Sequence, residues 1–373
     1  MNKKTLSRLQ LRLEADIASA RTQLEADCLR AERAGYLARL GEFDEVQAEL
    51  NALHERYDGR PNVQISAWLN LVEGLELHSR SMAPTAYDKF RRAHALSGAA
   101  GLDSLRALSA AWLAHMAFLR ADVIEMTRRV EESLSTAKQF DHPARARTSL
   151  VVAQGYHQGG RLDLALPWYS RARGHAVAEG DDATVSALMH NMAWLRASNL
   201  RQETILGVKL RGESANALLG ANSTAHFDSI FGLTNLQAHV PVLRAKLLAS
   251  QGDAEAALTL FEAHSAVAIR EGMGRLEADL LADQAWCRVQ LGQLKEAERD
   301  ALMAEEHIDP NGQYDDRAFA HVRLAEVFRV LGNNDAAVRH EALAAAAWSG
   351  YLDFQSRLVG SLEASVGLPK ASG

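Results

Sequence analysis

Small and large apolar residues fall at fixed offsets around a recurring turn. In one stretch they are Ala153, Tyr156, Gly160, Ala165, Tyr169 and Ala172. The small residues let two helices approach closely, and the rings fill the space between layers. Comparable sets are Gly74, Leu77, Ser81, Ala86, Phe90 and Ala93, then Ala245, Leu248, Gly252, Ala257 and Phe261, then Ala325, Phe328, Gly332, Ala337 and Ala344. The turns fall near Gly41, Ser81, Ala121, Gly160, Leu200, Gly252, Gly292 and Gly332, mostly about 40 residues apart. A second series of breaks lies between them, at Gly59, Gly101, Asp141, Gly180, Gly220, Gly272, Asp309 and Gly350. Two breaks per period predict two helices per period, each of about 18 residues and about 27 Å. One helix pair cannot bury its own apolar face, so neighbours stack. The pattern predicts an all-α fold, a right-handed α-solenoid of about eight helix pairs with capping helices at both ends.

Two regions depart from the period. The step from Leu200 to Gly252 carries about 12 extra residues, assigned to 222–240. Ser223 or Thr224 would cap a helix start there, and Pro241 would kink or restart it. The segment reads either as an extra surface turn or as a lid that turns Phe227 and Phe231 towards the groove. At the N-terminus, Leu6, Leu13 and Ala20 recur at heptad spacing, as do Ile17, Leu24 and Ala31. Residues 1–26 therefore predict a helix that either caps the first repeat or joins two copies as a homodimer. Residues 27–350 carry the repeats. Residues 351–373 predict a terminal helix, with Leu352, Phe354, Leu358, Val359 and Leu362 covering the eighth repeat, and a tail.

The order small, large, glycine, small, large, small resembles the tetratricopeptide repeat (TPR) family over roughly residues 27–350. The turns that open at Gly160, Gly252 and Gly292 match its turn signature best. The 40-residue period resembles the TPR regions of bacterial sensors and regulators, those of maltose-activator type and peptide-pheromone receptors among them. The resemblance implies that the first helix of each pair lines a concave face. Carried over position by position, it places there Trp68 and His78, His115, then Arg147, Gln154 and His157, then His190 and Trp194, Lys246, and Trp286. Repeats two to six contribute no carboxylate at these positions, and Asp279 and Glu326 enter only at repeats seven and eight. Such a face suits a peptide bearing carboxylates and apolar side chains, and Trp and Arg are enriched at binding hot spots.

Bulk properties narrow the classes. The 373 residues carry a net charge of -6, against a general nucleic-acid or anionic-membrane surface. No apolar run is long enough to span a bilayer, and no apolar core follows the basic N-terminus as in a signal peptide. The expected location is the cytoplasm. Cys28 and Cys287 lie on distant repeats and predict no disulfide. No two histidines sit four apart on one helix, and His340-Glu341 lacks the second ligand of a zinc-protease motif because Ala344 follows. His78, His115, His157 and His190 come one per repeat. Helix layers are about 8–10 Å apart, too far to share a metal unless side chains converge. There is no phosphate-binding glycine loop, no paired cysteines and no nucleophile elbow. No metal, cofactor or catalysis is expected. The inner positions also lack the Lys, Asn and Arg set of chaperone-binding TPR domains. The function expected is a scaffold or adaptor that grips a protein or peptide in the groove. The alternative is an intracellular ligand or peptide sensor that acts by changing superhelix conformation.

Overall fold

The computed structural model describes residues 7–207 and 217–366, and no strand occurs among them. The helices run in chain order: α1 Arg8–Ser19, α2 Gln23–Leu40, α3 Phe43–Tyr57, α4 Val63–Ser81, α5 Ala86–Ala99, α6 Asp103–Leu119, α7 Val123–Thr136, α8 His142–Gln158 and α9 Leu162–Glu179. They continue with α10 Asp182–Ile205, α11 Ala217–Phe231, α12 His239–Gln251, α13 Ala254–Ala268, α14 Glu277–Gln290, α15 Leu294–Glu306, α16 Tyr314–Val330 and α17 Asn334–Val366. Starts are set by side-chain caps: Ser7 accepts from the Gln10 amide, Thr22 from Glu25, Asn62 from Gln64 and Ile65, and Asp253 from Ala256. Gly41, Gly180 and Gly252 end their helices in the left-handed conformation. At two turns without glycine, Met82 and Ala121 take positive φ instead, of 49° and 55°.

The chain forms two compact units. The first comprises Met1–Met189, His226–Asn235 and Arg357–Gly373, and the second His190–Ala225 and Leu236–Ser356. In both, the fixed-offset positions are the contacts between paired helices. Ala153, Ala165 and Ala172 are buried in the first unit, with Tyr156 and Tyr169 beside them. Gly74 is required there, since a Cβ would lie 2.7 Å from the Phe90 ring. In the second unit Ala245, Ala257 and Phe261 are buried, as are Ala285, Ala297, Ala304, Ala325, Phe328, Ala337 and Ala344.

Three expected breaks are absent. Leu200 lies inside α10, Gly220 inside α11, and Gly350 inside α17, which runs for 33 residues. Gly350 serves a contact instead: a Cβ there would come within 2.5 Å of the Tyr314 ring. Ser223 and Thr224 cap nothing, because both are interior to α11; Thr224 hydrogen-bonds back to the Gly220 carbonyl at 2.9 Å. Pro241 falls in the first turn of α12, where its missing N–H is harmless.

The N-terminal stripe is broken at Ala20 into α1 and α2. Leu6 lies outside the described residues. Leu9 and Leu13 are buried in the first unit's core with α2, α4 and α6. The Leu9 amide donates to the Gly180 carbonyl at 3.4 Å, and Arg12 pairs with Glu179 at 2.5 Å. α1 thus reaches the turn after α9 as well as packing on α2. Residues 226–235 dock on the same unit at another turn. The Thr234 amide donates to the Leu40 carbonyl at 3.0 Å, Leu233 packs on the core, and Ser186 donates to Asp228 at 2.6 Å. Phe227 and Phe231 stack on each other with centroids 4.5 Å apart. The end of α17 makes a third such contact: Leu358 and Leu362 lie over Gly155 in α8, and Val359 over Gly159, the residue that ends α8. Each docking segment rests where glycine leaves room for it.

Candidate functional site

In the first unit, α1, α2, α4, α6 and α8 enclose a cavity of about 350 Å³. These are the first helices of successive pairs, joined by α1, so the cavity lies on the face where the resemblance puts binding residues. Its walls are mostly apolar. Leu9 and Leu13 come from α1, Leu71 and Leu75 with Trp68 from α4, and Leu105, Leu108 and Trp112 from α6. The charged groups on it are Arg12, Glu32, Arg39, Asp141, Arg147, Glu179 and Asp181. Glu32 and Trp68 also line a second hollow beside Thr22 and Gln64.

Most of these charges are matched inside the unit. Arg12 holds Glu179. Arg39 donates to Asp181 at 2.7 Å and to the Thr184 hydroxyl at 2.9 Å. Asp141 accepts from Ser104 and from the Lys138 amide. Arg147 is different. It is 6% exposed, and no hydrogen bond or ion pair joins it to a carboxylate among the described residues. Its guanidinium lies 3.8 Å from the centre of the Trp112 ring, a cation–π contact. Burial, with Arg39 nearby, pushes its pKa down from the ordinary arginine range, and Asp181 offsets this only in part. Glu32 is the complementary case. It accepts no hydrogen bond among the described residues, and burial, with Glu179 adding to it, pushes its carboxyl up to about 7.

Trp112 is the centre of the site and was not among the residues singled out from the sequence. Phe90 stacks on it at 5.4 Å, and His78 and His115 meet it edge-on at 5.5 and 5.7 Å. It sits outside the five inner-face positions of the repeat, so its only signal was being a Trp in a run of alanines. His78 and His115 lie 5.1 Å apart, closer than layer spacing suggests, because both side chains converge on that ring. Burial, with Arg147 nearby, lowers the His78 pKa to about 3. The His115 pKa is also well below its ordinary value, because of burial and then His78 and Arg147. Both rings are neutral at physiological pH and stand outside the cavity lining. No group of three or more His, Cys, Asp or Glu side chains among the described residues is placed to hold a metal ion.

The other candidates divide between the units. Gln154 and His157 are buried in α8 of the first, with His157 Nδ1 and the Tyr169 hydroxyl 3.1 Å apart. His190, Trp194, Lys246 and Trp286 belong to the second. Trp194 packs against the cores around Phe261 and around Leu247. Lys246 of the sixth repeat meets the carboxylate that the seventh repeat contributes to the inner face. It is buried and bonded to Asp279, with Asp283 at 3.6 Å. Arg201 completes the cluster, donating to both oxygens of Asp279 at 2.9 and 2.7 Å and to Asp283 at 2.9 Å. Arg323 reaches Asp283 at 3.3 Å and stands over the Trp286 ring at 5.4 Å. Arg201 and Asp283 were missed because they occupy positions outside the repeat's inner-face set.

Paired helices repeating along the chain define a helical-repeat, α-solenoid protein. Among solved structures it is similar to a Rap protein crystallised with Competence and Sporulation Factor, with TM-score 0.54 and 12% identity over 94% of this chain and 92% of that one. That likeness is one of fold. No family model and no curated protein matches the sequence. No helix among the described residues is long and apolar enough to cross a membrane.

Proposed function

We propose that this chain is a non-catalytic, peptide-binding regulatory protein. The observation that carries the reading is Arg147: a buried cation, without a carboxylate partner among the described residues, on the wall of an apolar and aromatic cavity. A charge kept out of water without a counterion costs stability. A bound anion would recover that cost, and the apolar walls would take an apolar body. A volume of about 350 Å³ is at the small end of ligand pockets. That favours a short peptide and the sensor reading over a scaffold that grips a long partner segment. The Rap protein, of similar fold, was crystallised with a factor bound, which agrees with this reading in kind. The protein acts as a cytoplasmic regulator, without nucleic acid, membrane or cofactor. Leu9 and Leu13 of the N-terminal stripe are already covered within the first unit, so a homodimer would have to use the remaining surface of α1.

The test pans a pool of short random peptides on the purified full chain, then synthesises the enriched sequence. Binding should raise unfolding stability by about 2.7 kcal/mol at 100 times the dissociation constant. Trp68→Ala and Arg147→Gln should each weaken it, and the exposed α7 control Glu131→Ala should not. Failure to enrich any peptide, or equal affinity for all three variants, overturns the reading.

A further inference from the structure

Two ionisable groups on the cavity wall, one basic and one acidic, form no hydrogen bond or ion pair of their own among the described residues. Arg147 enters from α8 and Glu32 from α2. The other charges on the wall are taken: Arg12 by Glu179, Arg39 by Asp181, and Asp141 by Ser104 and a backbone amide. Nor do the two neutralise each other. The charges felt by Arg147 are those of Arg39 and Asp181, and those felt by Glu32 are Glu179, Arg12, Asp16 and Arg39. Trp68, Trp112, Leu71 and Leu108 line the same cavity.

A ligand with one anionic group would satisfy Arg147 and leave Glu32 as it is. A wholly apolar ligand would bury both without relief. We infer that the ligand is a zwitterion with an apolar body, a short peptide with both ends free, its carboxylate on Arg147 and its ammonium on Glu32. This rests on the peptide-binding reading above and specifies it: the site recognises the ends of the peptide and is tolerant of its side chains. Forming each pair on the cavity wall provides charge-assisted hydrogen bonds. The carboxyl of Glu32, held up at about 7 by burial, would ionise when the ammonium arrives, so binding releases a proton near neutral pH.

Four forms of the panned peptide, and of trileucine, separate the possibilities: free, N-acetylated, C-amidated and doubly capped. Each is titrated into the full chain, into Arg147→Gln and into Glu32→Gln. Amidation should weaken binding to the wild type roughly 10- to 100-fold, the worth of a charge-assisted bond, and should change nothing in Arg147→Gln. Acetylation should behave likewise towards Glu32→Gln. Should either variant fold poorly, the capped peptides on the wild type still decide the matter. Equal affinity for free and capped forms overturns the end-group assignment and leaves peptide binding standing. Binding by none of the forms overturns both.

Discussion

The guanidinium of Arg147 lies 3.8 Å above the centre of the Trp112 ring, and among the described residues that ring, with no carboxylate, is its partner. Such a contact is worth about 2 kcal/mol or more when desolvated, well short of the cost of a buried charge. Arg147→Met keeps much of the stacked volume and removes the charge. The variant is expected to be more stable than the wild type without ligand, by about 1 kcal/mol or more, and to lose peptide binding. Urea denaturation of both proteins checks this. A variant less stable than the wild type would mean that the cation has an internal counterion.

Gly41 and Gly252 both end helices at positive φ, 91° and 87°, and differ in what stands beside them. A Cβ on Gly41 would lie 2.5 Å from the Thr234 hydroxyl and 2.6 Å from the Asn235 amide, whereas one on Gly252 meets nothing within 4 Å. Gly252→Ala should therefore cost only the left-handed backbone, about 1–2 kcal/mol. Gly41→Ala should cost that plus about 1–3 kcal/mol for overpacking, and should raise amide exchange in 226–235. Equal costs in thermal melts would show that the 226–235 contact contributes nothing.

Lys246 and Asp279 belong to a buried cluster with Arg201, Asp283 and Arg323. Removing one partner strands the rest. Asp279→Ala is expected to destabilise by about 3–5 kcal/mol. Asp279 is held low in pKa by Arg201 and Lys246 against the cost of burial, so its carboxylate is ionised at neutral pH. Lys246→Gln should reduce stability while leaving binding of the panned peptide within twofold. A loss of binding without a loss of stability would return Lys246 to the ligand site.

The pH dependence has a definite sign. His78 has a folded pKa lowered from 6.5 to about 3, so between these values the unfolded chain takes up a proton that the folded chain refuses. Its contribution is present above 6.5 and is lost as pH falls towards 3. The slope is at most about 1.4 kcal/mol per pH unit for one such group. Glu32 acts the other way. Its folded pKa is raised from 4.5 to about 7, so stability is lost as pH rises through that window. His78→Phe should flatten the acid limb, and Glu32→Gln should gain stability relative to wild type only as pH rises from 4.5 towards 7. Melting curves across pH test both, and an unchanged acid limb in His78→Phe would show that this ring does not govern it.

By itself the sequence determined the helix pairs. Fixed offsets such as Ala153, Tyr156, Ala165 and Tyr169, and turn glycines such as Gly160 and Gly252, are local requirements of packing and backbone conformation, so they are written in the chain where they act. The cations later found on inner helices, Arg147 and Lys246, were legible for the same reason. What became of them was not. Whether a charge is paired depends on residues distant in the chain: Lys246 meets Asp279, which Arg201 also holds, while among the described residues Arg147 meets a ring. Gly220 and Gly350 read as breaks and turned out to be helical; at Gly350 a glycine that admits a neighbour's ring looks the same as one that turns the chain. The seating of α1 at Gly180, of 226–235 at Gly41 and of the α17 end at Gly155 was decided by tertiary structure alone. Those contacts join segments far apart in sequence, and no periodicity records which surface a docking segment will find.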